Sequence, residues 1–336
     1  MWANNLRVFS VFAVVLLHVA SDFVSDIDII NPIYGNRSWW AGNIYASLTM
    51  WCIPLFIMIS GYFLLNKTES NAVFFRKRVR KIFIPFVFWS LFYSLWVILK
   101  YFFKGDISTA YFTVAKGWAL GEPYYHLWYL FMVPFLYLVT PILRVIISAV
   151  EKNELLVFIS ISFALAMLSA LSNVVLLYFD LSAKVSLFTN DFLSYLGYYC
   201  LGGYIAKYAI KPKIIRCIIM FAVALFTTVV GSYYITYIYF YSYLSVNVVV
   251  ASVALFFIIK EYSNNDLKLN RFAELSLGIY LIHPLFIKAI STFGEEWLLT
   301  KVDVYLYIPL ASSLVFILSY MTASCMSRVR YLNRCI

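Results

Sequence analysis

The sequence has few charged residues and no long polar stretch. Asp, Glu, Lys and Arg make up only 12% of its 336 residues, against about 25% in a soluble domain, and 63% of the residues are hydrophobic. No segment is polar enough to form a separate soluble domain. The composition therefore predicts an all-α polytopic membrane protein, with residues 1–336 forming a single membrane-embedded domain.

The cysteines offer no disulfide framework and no metal site. The five of them are scattered, mostly within or beside apolar segments, without a CxxC pair or the spacing of metal ligands. Neither a disulfide nor a bound metal is predicted.

Ten apolar segments of about 20 residues are long enough to cross a bilayer. They are predicted at residues 5–21, 43–65, 82–103, 127–148, 155–178, 191–209, 214–231, 240–260, 274–292 and 303–325. Basic residues are concentrated in the loops after the second, sixth and eighth segments and in the C-terminal tail. Both termini are therefore predicted to be cytoplasmic, and the net charge of +10 fits loops that face anionic lipid.

The first segment carries two ionisable residues, Arg7 and His18. Such groups are costly inside a membrane and are therefore candidates for function. Eleven helical residues turn about 1100°, about 20° past three full turns, so both side chains leave one face of the helix about 16 Å apart. Arg7 is expected at the cytoplasmic end and His18 in the outer half. A snorkelling Arg and a structurally satisfied His would show the same spacing.

His18 is a candidate general base, because a neutral imidazole can take a proton from a hydroxyl group as that group attacks. No Ser-His-Asp grouping and no nucleophile elbow are visible. Direct transfer is therefore favoured over a covalent intermediate, although the sequence does not decide between them.

A basic run precedes the third segment. Five of its six residues are positively charged, namely Arg76, Lys77, Arg78, Arg80 and Lys81. Such a run is typical of a cytoplasmic loop beside lipid headgroups. It equally predicts a clamp for the phosphates of a cytosolic ligand, because Arg and Lys beside a helix N-terminus bind phosphate, and Arg7 would join it at the same depth.

The other two histidines are also expected at membrane depth or its outer edge. His126 lies where the fourth segment enters from outside, beside Glu122, Trp128 and Tyr129. These neighbours suit stacking on a carbohydrate, although an aromatic belt at the membrane surface explains most tyrosines equally well. His283 precedes a proline in the ninth segment, where it would either bond a carbonyl freed by that proline or take part in a site.

Five motifs, in their order along the chain, resemble the acyltransferase-3 family of integral membrane acyltransferases. Arg7 and His18 form its Arg-x10-His pattern, and Arg78-x-x-Lys81 resembles its Arg-x-x-Arg region, with Lys in the second place. The other three are Met58-Ile-Ser-Gly-Tyr-Phe63, Tyr125-His-Leu-Trp-Tyr129 and Leu277-Gly-Ile-Tyr-Leu-Ile-His283. The last two are similar to motifs of O-acetyltransferases of O-antigen and enterobacterial common antigen.

The resemblance implies an O-acetyltransferase of the bacterial cytoplasmic (inner) membrane. Acetyl-coenzyme A would bind from the cytoplasm, and its acetyl group would pass to a hydroxyl of a surface or lipid-linked glycan on the outer side, with no nucleic acid partner. His18 would perform the chemistry and Arg7 would orient the donor. Donor binding is expected at Arg7, Arg76, Arg78, Arg80 and Lys81, and acceptor binding at Glu122, His126, Trp128, Tyr129 and His283.

Other functions remain open. A small-solute transporter or flippase often shows inverted repeats, and the sequence has no internal repeat. A glycan polymerase or ligase is expected to carry several Arg residues in its outer loops, where this chain has only Arg37. A different acyl donor, such as succinyl-coenzyme A, fits the sequence as well as acetyl-coenzyme A.

Overall fold

The apolar segments form α-helices, in which every backbone hydrogen bond is satisfied within the segment, as a lipid environment requires. The computed structural model describes residues 1–24, 34–179, 191–263, 265 and 267–336. Across these ranges the secondary structure is helical and contains no strand. The prediction of an all-α polytopic membrane protein is confirmed.

The helices before residue 180 include the elements that carry Arg7, His18 and the basic run. They are α1 (Trp2–Ser21), α2 (Arg37–Ser47), α3 (Cys52–Leu64), α4 (Asn71–Arg78), α5 (Ile84–Phe102), α6 (Ile107–Ala119), α7 (Trp128–Ala149) and α8 (Lys152–Tyr178). A π-helical segment (Val79–Phe83) joins α4 to α5.

The helices after residue 190 include the one that carries His283. They are α9 (Asp191–Ser194), α10 (Leu196–Lys207), α11 (Ile214–Gly231), α12 (Tyr237–Phe240), α13 (Val246–Tyr262), α14 (Asn270–Glu274), α15 (Ser276–Phe293), α16 (Glu295–Leu299) and α17 (Val304–Arg328). A second π-helical segment (Ser232–Thr236) and a short 3₁₀-helix (Leu332–Arg334) complete them.

Eight of the ten predicted segments coincide with helices that are long and apolar enough to cross a membrane, within the described residues. The sixth and eighth predicted segments correspond to shorter helices, α10 with 12 residues and α13 with 17. The count of ten spans and the cytoplasmic position of both termini stay predictions.

Helix α1 lies in the middle of the bundle. It packs against α2, α3, α13, α15 and α17, and Leu6, Val11 and Val15 on it are fully buried. The functional residues of α1 therefore face other helices of the protein, where a polar side chain can find a partner or a cavity.

Two glycines allow helices α3 and α10 to approach each other closely. A Cβ atom on Gly61 would lie 1.9 Å from the carbonyl oxygen of Tyr199, and one on Gly202 would lie 2.0 Å from that of Met58. Only a residue without a side chain fits at either position, as in other close membrane helix pairs.

The second predicted segment is not one helix but two. Helices α2 and α3 are separated by a turn at residues 48–51. The Thr49 hydroxyl donates to the carbonyls of Tyr45 (2.9 Å) and Ala46 (3.0 Å), and Pro54 follows in the first turn of α3. A break inside the bundle is tolerated because side chains satisfy the freed backbone groups.

The stretch between the third and fourth segments contains a helix that the sequence did not predict. Helix α6 begins at the N-cap Asp106, whose carboxylate accepts from the backbone N–H of Thr109 (3.1 Å). It returns along α5, where Trp118 donates from Nε1 to the Ser94 hydroxyl (3.0 Å) and its ring lies 6.4 Å from that of Phe86. The chain therefore turns back into the bundle before it reaches His126.

Candidate active site

The three histidines of the chain lie in contact with one another. The ring centroid of His283 is 5.2 Å from that of His18, with the rings nearly parallel, and 5.5 Å from that of His126, with the rings nearly perpendicular. They come from α15, α1 and the turn before α7. We call His18, His126 and His283 the histidine cluster.

His283 is held by the proline that follows it. Pro284 has no N–H, so the carbonyl four residues earlier, that of Tyr280, lacks its helical donor. The His283 Nδ1 lies 2.6 Å from this carbonyl oxygen. A carbonyl only accepts, so Nδ1 carries the proton and Nε2 presents a lone pair. The predicted bond to a carbonyl freed by the proline is thus present, and His283 also belongs to the cluster.

His126 is enclosed by aromatic rings. Its imidazole is buried, and both ring nitrogens are without a hydrogen-bond partner within the described part of the chain. The ring centroids of Tyr93 and Tyr280 lie 5.0 and 5.4 Å away, and the Tyr280 hydroxyl donates to the His126 carbonyl. Packing and this backbone bond fix the turn and enclose the imidazole.

His18 is the accessible member of the histidine cluster. It is partly exposed, whereas His126 and His283 are buried. On its outer side lies the ring of Tyr125, with centroids 5.1 Å apart, and Tyr125 is 48% exposed. The Tyr125 ring, which reaches the surface of the protein, therefore lies directly against the His18 imidazole.

A cavity of about 240 Å³ lies on the other side of the cluster, at the end of the bundle where the basic run begins. Arg7, Arg78 and Lys81 line it at one end, and Tyr129 and Tyr280 line it at the other. We call it the inner cavity. Since Tyr280 also touches His126, the cavity ends one ring away from the histidine cluster.

The cations of the inner cavity retain donors for a ligand. The Arg78 guanidinium lies 5.6 Å from the ring centroids of both Phe74 and Tyr137, and its Nε is buried without a partner in the described chain. Arg7 donates from Nη1 to the Asn4 side chain (3.1 Å). Lys81 follows Arg78 by three residues in the π-helical segment. This arrangement can bind a phosphate-rich anion through charge-assisted hydrogen bonds.

The other two arginines of the basic run lie outside this cavity. Arg76 and Arg80 are exposed and do not line it. Of the donor-binding residues expected from the sequence, the structure therefore brings three together (Arg7, Arg78 and Lys81) and leaves two on the surface.

Comparison with known families identifies the chain. The sequence profile of the acyltransferase-3 family, described as an acyltransferase domain, matches residues 2–324 and so covers both the inner cavity and the histidine cluster. The chain belongs to this family. It is therefore a membrane acyltransferase. No curated protein and no solved structure matched it.

The remaining acceptor candidates of this acyltransferase are spread over three environments. Trp128 packs against Tyr195 and Tyr243, with ring centroids 5.6 and 5.7 Å away. Tyr129 lines the inner cavity, and Glu122 is exposed in the turn that follows α6. No group of His, Cys, Asp and Glu side chains in the described ranges is arranged to hold a metal ion.

Arg144 of the acyltransferase is a further contributor that the sequence did not assign. It donates from Nε to the carbonyl of Leu64 (2.9 Å), lies 3.4 Å from the Glu69 carboxylate, and stacks 4.6 Å from the ring centroid of Phe74. Phe74 thus lies between Arg144 and Arg78. Arg144 holds the helix that carries the cavity cations, and its position inside an apolar segment was the only available signal.

Proposed function

We propose that the protein is an O-acetyltransferase of the bacterial inner membrane. It would move an acetyl group from cytosolic acetyl-coenzyme A to a hydroxyl of a surface or lipid-linked glycan, of the O-antigen type, on the extracytoplasmic side. Residues 1–336 would act as one membrane-embedded domain. The observation that carries this proposal is the inner cavity, which has cations at one end and ends beside the histidine cluster.

Donor binding follows from the charges and length of the inner cavity. Coenzyme A carries its phosphates at one end and its thioester at the other. Arg7, Arg78 and Lys81 would bind the phosphates, which is the role of Arg and Lys at many phosphate sites. The pantetheine arm would then extend past Tyr129 and Tyr280. The span from Arg7 to His18, about 16 Å along α1, is the distance that this arm has to cover.

In the reaction proposed for His18, the proton taken from the acceptor hydroxyl is the one later given to the thiolate, so no further proton source is needed. The acceptor hydroxyl oxygen attacks the thioester carbonyl carbon, while the neutral His18 imidazole takes the hydroxyl proton. The tetrahedral intermediate collapses, the carbon–sulfur bond breaks, and the imidazolium returns the proton to the departing thiolate. An acetyl ester and free coenzyme A thiol result, and His18 is neutral again.

The other members of the cluster would orient the reactants. The His283 ring lies 5.2 Å from that of His18, and the lone pair on its Nε2 would accept a hydrogen bond from the acceptor hydroxyl. The His126 ring, 5.5 Å from that of His283, would hold His283 in place. We place the acceptor on the Tyr125 side, within reach of Glu122. Tyr129 is better assigned to the donor path, and the packing of Trp128 favours a structural role.

Titration of acetyl-coenzyme A into the detergent-purified protein tests this proposal. The wild type should bind, and Arg7→Ala should bind more weakly by about tenfold, because it loses one charge-assisted contact. Arg37→Ala serves as the matched control, since Arg37 pairs with Asp303 away from the cavity (2.8 Å). Equal affinity in the wild type and Arg7→Ala would refute the donor site.

A further inference from the structure

A second cavity, of about 260 Å³, lies between α5, α6 and α15. The positions of residues along two helices show that this cavity and the inner cavity lie on opposite sides of the histidine cluster. Along α15, Tyr280 lines the inner cavity, His283 belongs to the cluster and Lys288 lines the second cavity. Along α5, Tyr93 touches His126 and Lys100 follows near the helix end. We call this second cavity the outer pocket.

Two lysines from different helices converge on the outer pocket. Lys100 and Lys288 both line it, and neither has a carboxylate within ion-pair distance in the described chain. Snorkelling accounts for a single Lys near a helix end, but it gives no reason for two lysines to share one cavity. Lys100 Nζ lies 5.7 Å from the Tyr101 ring centroid, a contact that leaves its positive charge uncompensated. Two ammonium groups that line one cavity without an ion pair attract an anion.

The acidic groups near Lys288 lie in a neighbouring cleft and do not line the outer pocket. Asp22 and Glu295 line a neighbouring cleft between α1, α15 and α17. Burial and the nearby Asp22 carboxylate raise the pKa of Glu295, and Lys288 partly offsets that rise. The positive charge of Lys288 thus acts on both carboxylates, whereas Lys100 has no carboxylate within ion-pair distance in the described chain. The outer pocket itself is lined by two positive charges and no negative one.

Aromatic side chains form the other walls of the outer pocket. Trp96, Tyr101 and Tyr124 line it, and Trp96 is 40% exposed. Flat aromatic faces suit the apolar face of a sugar ring, and their hydroxyls and indole nitrogen suit its polar edge. Tyr124 is followed by Tyr125, the ring that lies against His18. A molecule in the pocket therefore lies next to the entrance to His18.

We propose that the outer pocket binds an anionic saccharide, with Lys100 and Lys288 holding its phosphate or carboxylate and the aromatic walls holding a sugar ring. This inference rests on the proposed function, because the bound saccharide would be the acceptor of the acetyl group. It narrows the acceptor to glycans that carry a negative charge near the acetylated hydroxyl. That charge belongs either to a phosphate that links the sugar to a lipid carrier or to an acidic sugar.

Three probes separate these sources in detergent-purified protein. They are a short-chain prenyl diphosphate N-acetylglucosamine, an oligosaccharide of glucuronic acid and N-acetylglucosamine, and a neutral oligosaccharide of equal length. Binding is measured as a ligand-induced thermal shift and by calorimetry. We expect at least one anionic probe to bind and the neutral one to bind more weakly by about tenfold or more.

Variants then assign the binding to the lysines. The double variant Lys100→Gln/Lys288→Gln should lose about tenfold or more of the affinity for the anionic probe, and Lys100→Arg/Lys288→Arg should retain most of it. Lys104→Gln/Lys301→Gln, at exposed lysines outside the pocket, should bind as the wild type does. Binding of the prenyl diphosphate alone identifies a lipid-linked acceptor, and binding of the acidic oligosaccharide alone identifies an acidic glycan.

Several outcomes would overturn the inference. They are equal binding of the neutral probe, unchanged affinity in the glutamine variant, and displacement of the anionic probe by phosphatidylglycerol, which would mark a lipid headgroup site. Titration of acetyl-coenzyme A in the same samples keeps the two proposals apart. A protein that binds the anionic probe but no acetyl-coenzyme A would refute the donor assignment while leaving the saccharide site in place.

Discussion

The inner cavity and the histidine cluster are both polar regions inside an apolar bundle, yet they differ in chemistry. The inner cavity is lined at one end by the cations Arg7, Arg78 and Lys81. The cluster consists of imidazoles packed among tyrosine rings, and two of the three are buried. The first arrangement suits reversible binding of an anion, and the second suits proton transfer over a short distance.

In the proposed reaction, this contrast would let one bundle serve two substrates from opposite sides. Charges inside a membrane are tolerated where they line a water-filled cavity, which describes the cations. Imidazoles have no permanent charge, so they can be buried at the point where the paths meet. We therefore expect variants of the two regions to fail in different steps, and the predictions below test that separation.

The largest effect is expected at His18. His18→Ala should lower the rate of transfer by about 10² to 10⁴, the usual contribution of a general base. Affinity for acetyl-coenzyme A should stay as in the wild type, because His18 does not line the cavity proposed to hold the phosphates. Release of coenzyme A thiol in membranes that contain the native acceptor measures the rate. Added imidazole should restore part of it, and an unaltered rate in His18→Ala would eliminate His18 as the base.

The next effect concerns the cations of the inner cavity. Arg78→Gln/Lys81→Gln should weaken binding of acetyl-coenzyme A by about 10 to 100-fold, and the wild-type affinity should fall with added salt. Lys77→Gln is the control, since Lys77 is paired with Glu69 (2.7 Å) and lies outside the cavity. If the control weakens binding as much as the double variant, the basic run acts only through its total charge.

A smaller effect is expected at Pro284, where a substitution should raise the stability of the protein but lower its rate of transfer. Pro284→Ala supplies an N–H that competes with His283 Nδ1 for the carbonyl of Tyr280. The helix should become more stable by about 1 kcal/mol or more, while the misplaced imidazole should lower kcat about tenfold. Thermal unfolding and steady-state kinetics measure both. A variant that is more stable and fully active would show that the His283 bond has no part in the reaction.

The smallest effect on function is expected at Arg144. Arg144→Ala removes the bonds to Leu64 and Glu69, which should lower the free energy of unfolding by about 2 kcal/mol. Donor affinity of the folded protein should remain that of the wild type, because Arg144 does not line the inner cavity. A loss of donor affinity equal to that of the Arg78 variant would place Arg144 in the binding site itself.

The sequence predicted the parts of this site that lie on one helix. Hydropathy located the apolar segments, and helical periodicity put Arg7 and His18 on one face of α1. Of the four cations of the basic run from which donor binding was expected, Arg78 and Lys81 line the inner cavity, whereas Arg76 and Arg80 do not. These features depend on spacing along the chain, which the sequence contains directly.

The features that depend on neighbouring helices were not predicted. The contact of His18 with His283 requires α1 and α15 to be adjacent, and periodicity gives a helix its face but not its neighbour. Helix α6 was not predicted, because its packing back along α5 depends on the hydrogen bond from Trp118 to Ser94. Tyr280 could not be told apart from the other tyrosines, since its role comes from its contact with His126.

The most direct test of the two-region account is photocrosslinking with a coenzyme A thioester whose short acyl chain carries a diazirine. The labelled peptides of the purified protein are mapped by mass spectrometry. We predict that the acyl end labels residues beside the histidine cluster, such as Tyr129, Tyr280 and His18, and that excess coenzyme A or Arg78→Gln/Lys81→Gln removes the label. Labelling confined to residues distant from the cluster, or undiminished in that variant, would contradict the claim that the inner cavity leads to the histidines.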